Sequence, residues 1–224
     1  MFIFIIFGPP GSGKSTQADI LANKFGLVHF NTGEVIEKTV FNPVNQDDPE
    51  IKKQRELFKS GQLCNPEWVV KISEEEIEKI HRQGKGMVFS GAMRTLYEAE
   101  NMMPFLEKLY GKENVYIFDI EIPEEVSIFR NTHRRICKQC GLTLIYNEET
   151  SKLTRCPHCG GELVERVLDN KETIVTRLKT YHKETEPVLK YFHSKGIKVF
   201  NINGTPMPDK VAEQILSFIK ENGN

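Results

Sequence analysis

The stretch Gly8-Pro9-Pro10-Gly11-Ser12-Gly13-Lys14-Ser15-Thr16 constrains this chain more than any other. It follows an apolar run at 2–7 that reads as a fully buried strand. It precedes a helical pattern that sets Ala18, Leu21, Ala22 and Phe25 on one face. Strand, glycine-rich turn and helix is the context in which Gly-x-x-x-x-Gly-Lys-Ser forms a phosphate-binding loop. The glycines let backbone N–H groups point at a polyphosphate, and the helix N-terminus adds a favourable dipole. Gly8, Gly11, Ser12, Gly13, Lys14, Ser15 and Thr16 are therefore the candidate binders of a nucleoside triphosphate. Lys14 would reach the β- and γ-phosphates. The two hydroxyls stand where a Mg²⁺ ligand and a further phosphate donor are needed.

Downstream, strand-like and helix-like segments alternate. Residues 27–30, 87–89, 115–118 and 197–202 read as strands. Thr32 is a candidate cap for a helix over 35–41, and residues 50–60 resume a helical pattern that Gly61 ends. Asn65-Pro66-Glu67 has the order of a helix start: N-cap, proline, acid. Pro123 opens a helix towards Arg135, and the helical pattern over 170–195 is interrupted at Pro187. Alternation of this kind predicts an α/β fold, a parallel sheet covered by helices on both faces. Ligands of such sheets bind beyond the strand C-termini, where the phosphate loop, 91–94 and the basic end of 124–135 converge. With 224 residues, a net charge of −1 and 27% charged residues, the chain suits a globular protein and lacks the global basic footprint of a nucleic-acid binder. The N-terminal apolar run is too short to span a membrane and runs straight into the phosphate loop, so no signal peptide is expected.

Four of the five cysteines fall in two pairs, Cys137-x-x-Cys140 and Cys156-x-x-Cys159. Two chelating thiolate pairs suit a tetrahedral Zn²⁺, and a site without an open position is structural. The pairs predict a small zinc-ribbon-like β insert within 136–165 and a reducing compartment, taken here as the cytoplasm. His158 is expected to be exposed rather than a ligand, and Cys64 to be a small apolar filler.

Arg130, Arg134 and Arg135 lie at the entry of this insert, Arg166 at its exit, Arg177 on the following helix, and Arg94 beside the strand ending near 90. Arginines on a solvated face need no function. These instead flank one insert and one loop beside the phosphate site, and guanidinium groups match phosphate oxygens in pairs.

The order of these pieces resembles the adenylate kinase family of nucleoside monophosphate kinases, in its long, zinc-bearing form. The resemblance covers nearly the whole chain. It rests on Gly-Pro-Pro-Gly-Ser-Gly-Lys-Ser-Thr-Gln at 8–17, Thr-Gly-Glu at 32–34, Gly-Ala-Met-Arg-Thr at 91–95, Arg-Asn-Thr-His-Arg-Arg-Ile-Cys at 130–137, Cys-Gly-Gly-Glu-Leu at 159–163, Arg177-Leu-Lys-Thr-Tyr-His and Asn203-Gly204-Thr205. It implies a P-loop core over 1–31, 65–130 and 166–224, a monophosphate-binding piece over 32–64 and a zinc lid over 131–165. It implies ATP and a nucleoside monophosphate as substrates, Mg²⁺ with the ATP, and a monomer. By the same resemblance Lys14 and Arg134 hold donor phosphates, while Arg130 and Gly204 lie beside the donor nucleotide. Arg94 and Arg177 hold the acceptor phosphate, Arg166 bridges the two, and Thr32, Gly33, Gly91 and Glu98 line the acceptor site.

The chain departs from the family pattern in four places. Glu37 stands where an arginine for the acceptor phosphate is usual. Ser90 replaces an aspartate that helps hold Mg²⁺ through water; Asp119 and Glu34 are the candidates to compensate. Glu98 replaces a glutamine that reads adenine. A carboxylate, which only accepts hydrogen bonds, suits guanine better, unless Glu98 is simply a solvated helix residue. Leu168 replaces one acid of a pair after Arg166, leaving Asp169. The expected function is phosphoryl transfer from ATP to a nucleoside monophosphate, AMP first. The alternatives are a changed acceptor such as GMP or a deoxynucleotide, or a catalytically weak nucleotide-binding regulator.

Overall fold

The computed structural model describes residues 1–165 and 169–222. In chain order its strands are β1 (Ile3–Phe7), β2 (Val28–Asn31), β3 (Met87–Ser90), β4 (Val115–Glu121), β5 (Arg135–Cys137), β6 (Thr143–Leu144), β7 (Leu163–Glu165) and β8 (Val199–Asn203). The helices are α1 (Lys14–Phe25), α2 (Thr32–Val40), α3 (Pro49–Lys59), α4 (Pro66–Arg82), α5 (Leu96–Tyr110), α6 (Glu124–Thr132), α7 (Glu148–Ser151), α8 (Lys171–Thr180), α9 (Glu186–Ser194) and α10 (Pro208–Asn222). None is long and apolar enough to cross a membrane.

Five strands form one parallel sheet in the order β2-β3-β1-β4-β8. The unbroken apolar run of β1 follows from its central place, because every residue must be buried against one layer of helices or the other. Ile3, Ile5 and Phe7 join Met87 and Phe89 under Ile77, Leu106 and Phe192 of α4, α5 and α9. Phe4 and Ile6 join Val88 and Phe118 under Leu21 of α1 and Ile215 of α10. The expected α/β sheet with two covered faces is the observed one.

Three local readings change. Asn31, not Thr32, caps α2: its extended backbone ends β2 and its side chain accepts from Gly33 N at 3.1 Å. Thr32 falls one residue inside the helix. α6 stops at Thr132, so Arg134 lies beyond it and Arg135 opens β5. The stretch 171–194 is continuous: a π-helical turn, Tyr181–Thr185, joins α8 to α9, and the irregular winding falls just ahead of Pro187, whose ring and missing N–H do not fit a regular α-helical interior.

The cysteine-bearing segment makes its own antiparallel sheet, β6-β5-β7. On the other side, α2 and α3 form a helical excursion between β2 and α4. It is tied back by Gln54, fully buried, whose Oε1 accepts from Asn65 N at 2.8 Å while Asn65 caps α4. Gln54→Leu would strand that N–H in an apolar setting. A loss of about 1–3 kcal/mol is expected, read as a lower melting temperature in thermal unfolding followed by circular dichroism.

Candidate active site

The loop after β1 has the backbone that the sequence requires. Gly13 ends it in the left-handed region, φ 97°, and serves as N-cap of α1 without a side-chain cap, leaving the first-turn N–H groups facing outward. Gly11 has φ 77°, and a Cβ there would lie 2.4 Å from Asn131 Nδ2 of α6. Ser127 Oγ donates to Pro10 O at 2.6 Å, so α6 props the loop from behind.

Lys14 folds back under this loop, with Nζ 2.7 Å from both Gly8 O and Pro9 O. It lines one cavity with Arg94, Arg177, Gly91 and Tyr181. Burial, then the charges of Arg94, Arg177 and Arg134, hold the Lys14 ammonium well below its ordinary range. A site that crowds cations around an already desolvated ammonium favours a polyanion.

The remaining arginines divide by partner. Arg134 forks onto Asp169, Nε to Oδ2 at 2.7 Å and Nη2 to Oδ1 at 2.6 Å, and Arg177 Nη1 is 3.7 Å from the same Oδ1. Arg130 donates to Gly204 O (2.9 Å) and Thr205 O (2.8 Å), fixing α6 to the loop after β8. Arg135 turns away into the small sheet, bonded to the Leu153 and Thr150 carbonyls. Arg166 and Leu168 lie outside the described residues. Arg55, which the sequence spacing does not signal, donates from Nε to Val40 O (2.8 Å), with Nη2 buried and unpartnered among the described residues.

On the other side of the cavity, Arg94 Nε donates to Gly91 O at 2.9 Å. A Cβ at Gly91, φ 79°, would collide with the Arg94 guanidinium at 2.6 Å. Glu98 is 3% exposed, which overturns its reading as a solvated helix residue. Its Oε2 accepts from Arg94 N at 2.9 Å, so the carboxylate clamps the loop that carries Arg94; burial raises its pKa. Thr185 Oγ1 of the π turn donates to Arg94 O at 3.0 Å, a second clamp. Thr32 Oγ1 is buried without a partner among the described residues. Glu37 and Lys38 are exposed. Cys64 is buried beside Gln54 O as a filler, and burial pushes its thiol up to about 11.

For Mg²⁺, the two candidate compensating acids separate. Glu34 is exposed and accepts from Asn31 Nδ2 at 2.9 Å within the cap of α2. Asp119 lies on β4 opposite Phe7, the last residue of β1, is 7% exposed, and keeps Oδ1 buried without a partner among the described residues. Burial pushes its carboxyl up to about 6, with Glu121 adding to the shift and Lys14 opposing it. Tyr181 of the π turn stands beside the same carboxylate and opposes the rise in its pKa. An orphaned oxygen of this kind fits a hydrated divalent cation.

The four Cys Sγ atoms lie within 4.8 Å of one another, and His158 is exposed, as expected. Tetrahedral zinc with bonds of about 2.3 Å sets sulfur atoms about 3.8 Å apart; the observed pairs are 3.4 Å (Cys137–Cys159) and 3.7 Å (Cys140–Cys156). The backbone N–H of Cys140 draws the Cys137 thiol down to about 6. The N–H of Gly161 favours the Cys159 thiolate, yet neighbouring Cys140 and Cys137 push that thiol up to about 12. Four thiolates at this spacing need a cation, and the set fits zinc.

An adenylate kinase family model matches residues 6–197. The chain belongs to the adenylate kinase family. It is 35% identical to the adenylate kinase of Caldanaerobacter subterraneus over 213 residues, 94% of this chain and 93% of the relative. It is 33% identical to that of Archaeoglobus fulgidus over 219 residues, 97% of each, and 32% identical to that of Acetivibrio thermocellus over 215 residues, 95% of each. A nucleoside monophosphate kinase, a phosphotransferase that binds ATP, follows from family membership.

Two expectations follow for this kinase. A polyphosphate restores the Lys14 pKa that burial and the arginines depress. Between the depressed value and the ordinary lysine range, ATP binding therefore takes up protons, and affinity falls as pH rises through that window; calorimetry in buffers of contrasting ionisation enthalpy reads the uptake, which Lys14→Ala abolishes. Zinc that binds only the folded segment stabilises it by about 4 kcal/mol when present at about a thousand times Kd. Cys137→Ser and Cys156→Ser should each lose the metal and melt earlier, with less effect on the chemical step. A melting temperature indifferent to chelation would count against a structural metal.

Proposed function

We propose that this chain transfers the γ-phosphoryl group of ATP to the phosphate of AMP, giving two molecules of ADP. The observation that carries the reading is the convergence of Lys14, Arg94 and Arg177 on one cavity at the C-terminal edge of the sheet. An oxygen of the acceptor phosphate attacks the γ-phosphorus, the bond from that phosphorus to the β-bridging oxygen breaks, and ADP departs. The reaction asks the protein for position and positive charge rather than covalent chemistry.

In this reading the loop N–H groups and Lys14 hold the donor phosphates, joined by Arg134 once it leaves Asp169. Arg130, anchored on the 204–205 carbonyls, lies against the donor nucleotide. Arg94 and Arg177 take the acceptor phosphate, and Arg166 is expected to bridge the two. Thr32, with its unspent hydroxyl, and Gly33 and Gly91 line the acceptor side. Ser15 and Asp119 would hold Mg²⁺, which supplies charge neutralisation across the β- and γ-phosphates. The zinc-bearing segment over 131–165 and the helical piece over 32–64 close from opposite sides and exclude water, so that phosphate goes to the acceptor and not to hydrolysis. The enzyme is taken to act as a cytoplasmic monomer.

AMP remains the first acceptor despite Glu98, because the carboxylate already has work in clamping Arg94 N. A coupled assay with ATP, Mg²⁺ and AMP, GMP, CMP or UMP tests this. AMP should be preferred, and GMP preferred over AMP would replace the reading with a guanylate acceptor. No transfer to any acceptor despite ATP binding would favour a regulator. Lys14→Ala and Arg94→Ala should each lower kcat about 100-fold or more with the melting temperature retained.

A further inference from the structure

Ser90 is the last residue of β3, paired with Ile6 of β1 and one residue before the loop that carries Arg94. Alternation puts it on the α1 face of the sheet, the face that Ile6 and Val88 share with Ala18 and Leu21. His29 of β2 pairs with Val88 and lies on the same face. Its Nε2 is 2.7 Å from Ser90 Oγ, and its Nδ1 is 2.7 Å from Asp19 Oδ1. Asp19 lies four residues after Ser15 on α1, so the two share a helix face at the edge of the phosphate loop.

The proton positions follow from the chemistry of the partners. An ionised carboxylate only accepts, so Nδ1 must carry a hydrogen. In the neutral ring Nε2 is then an acceptor, and the Ser90 hydroxyl must donate to it. Both lone pairs of Ser90 Oγ are left to accept, in a residue only 2% exposed.

The geometry points to an Asp19–His29–Ser90 relay that fixes the Ser90 hydroxyl as an acceptor for water bound to the divalent cation of the ATP complex. Serine, histidine and aspartate in this order can also activate a nucleophile. Here Ser90 is almost fully buried with its one proton given to His29, and phosphoryl transfer asks for no nucleophile from the protein. Ser90 and His29 are positioning residues that act through ordered water. The relay lets a neutral side chain do what an acid would otherwise do, with the negative charge kept at Asp19, two hydrogen bonds away and largely in solvent.

The inference rests on the proposed ATP site and is tested by metal binding rather than turnover. The full chain is saturated with β,γ-imido-ATP, and Mn²⁺ affinity is measured by electron paramagnetic resonance. Affinity for the metal-free nucleotide is measured in EDTA by calorimetry. Ser90→Ala and His29→Ala should each weaken Mn²⁺ about tenfold with metal-free nucleotide affinity unchanged. The double variant should be no weaker than either single one, because both break the same chain. Asp19→Asn, a surface change with little risk to folding, should give a smaller loss in the same direction. Ser90→Asp, which needs no relay, should restore Mn²⁺ affinity in the His29→Ala background. Unchanged Mn²⁺ affinity in Asp19→Asn and His29→Ala, with nucleotide still bound, overturns the relay and leaves the kinase reading standing. Additive losses in the double variant, or equal loss of metal-free nucleotide, also overturn it. Wild-type protein that binds no nucleotide overturns both.

Discussion

Cations gathered at one edge of a sheet, before any anion arrives, are the constraint on which the rest of the structure depends. Like charges at short range in a desolvated site repel, and the fold holds them in place by spending other groups. Lys14 is held by the carbonyls of Gly8 and Pro9. Asp169 takes the fork of Arg134 and stands near Arg177. Arg94 is pinned by Gly91 O through its guanidinium, and by Glu98 and Thr185 through its backbone. The partners of the cationic groups are acceptors that a phosphate can replace or leave in place, while Thr185 donates to a backbone carbonyl and only braces the loop. The unliganded site is thus a set of provisional pairings, and Asp169 is the acid from which Arg134 would have to part for a phosphate to take its place.

Much of this was legible in the sequence, for physical reasons. A fully apolar strand followed by a glycine loop and an amphipathic helix has few other ways to fold, and the parallel sheet follows from the alternation around it. Paired cysteines announce a metal because two short chelate turns have little other use. The arginine positions could be named, but their partners could not: nothing local says that Arg130 will find carbonyls 74 and 75 residues away, or that Arg135 will turn into the small sheet. The cap of α2 moves from Thr32 to Asn31 because β2 runs one residue further than its apolar run suggests.

Glu98 shows the same limit at the level of chemistry. In sequence, a charged residue in the first turn of a helix reads as a solvated group or as a contact to a base. In the fold it is buried and accepts from the N–H of the residue four positions back. The carboxylate holds the Arg94 loop, in which the fully buried Met93 takes φ 52°, a region that side chains rarely adopt. Backbone support therefore accounts for a hydrogen-bond acceptor at this position without a base being invoked.

In the proposed site, Asp119 and Ser90 would divide the demands of the metal between the two faces of the sheet. Asp119, on the face of α9 and the π turn, brings charge and a vacant oxygen, but its raised pKa leaves it partly protonated near pH 6. Ser90, on the α1 face, brings no charge and has its proton committed to His29. A cation drawn to the first would be oriented by the second. Tyr181 and Thr185, four residues apart on the π turn, share a face. Tyr181 stands beside the Asp119 carboxylate and Thr185 donates to Arg94 O, so this one turn ties the charge on β4 to the arginine loop after β3.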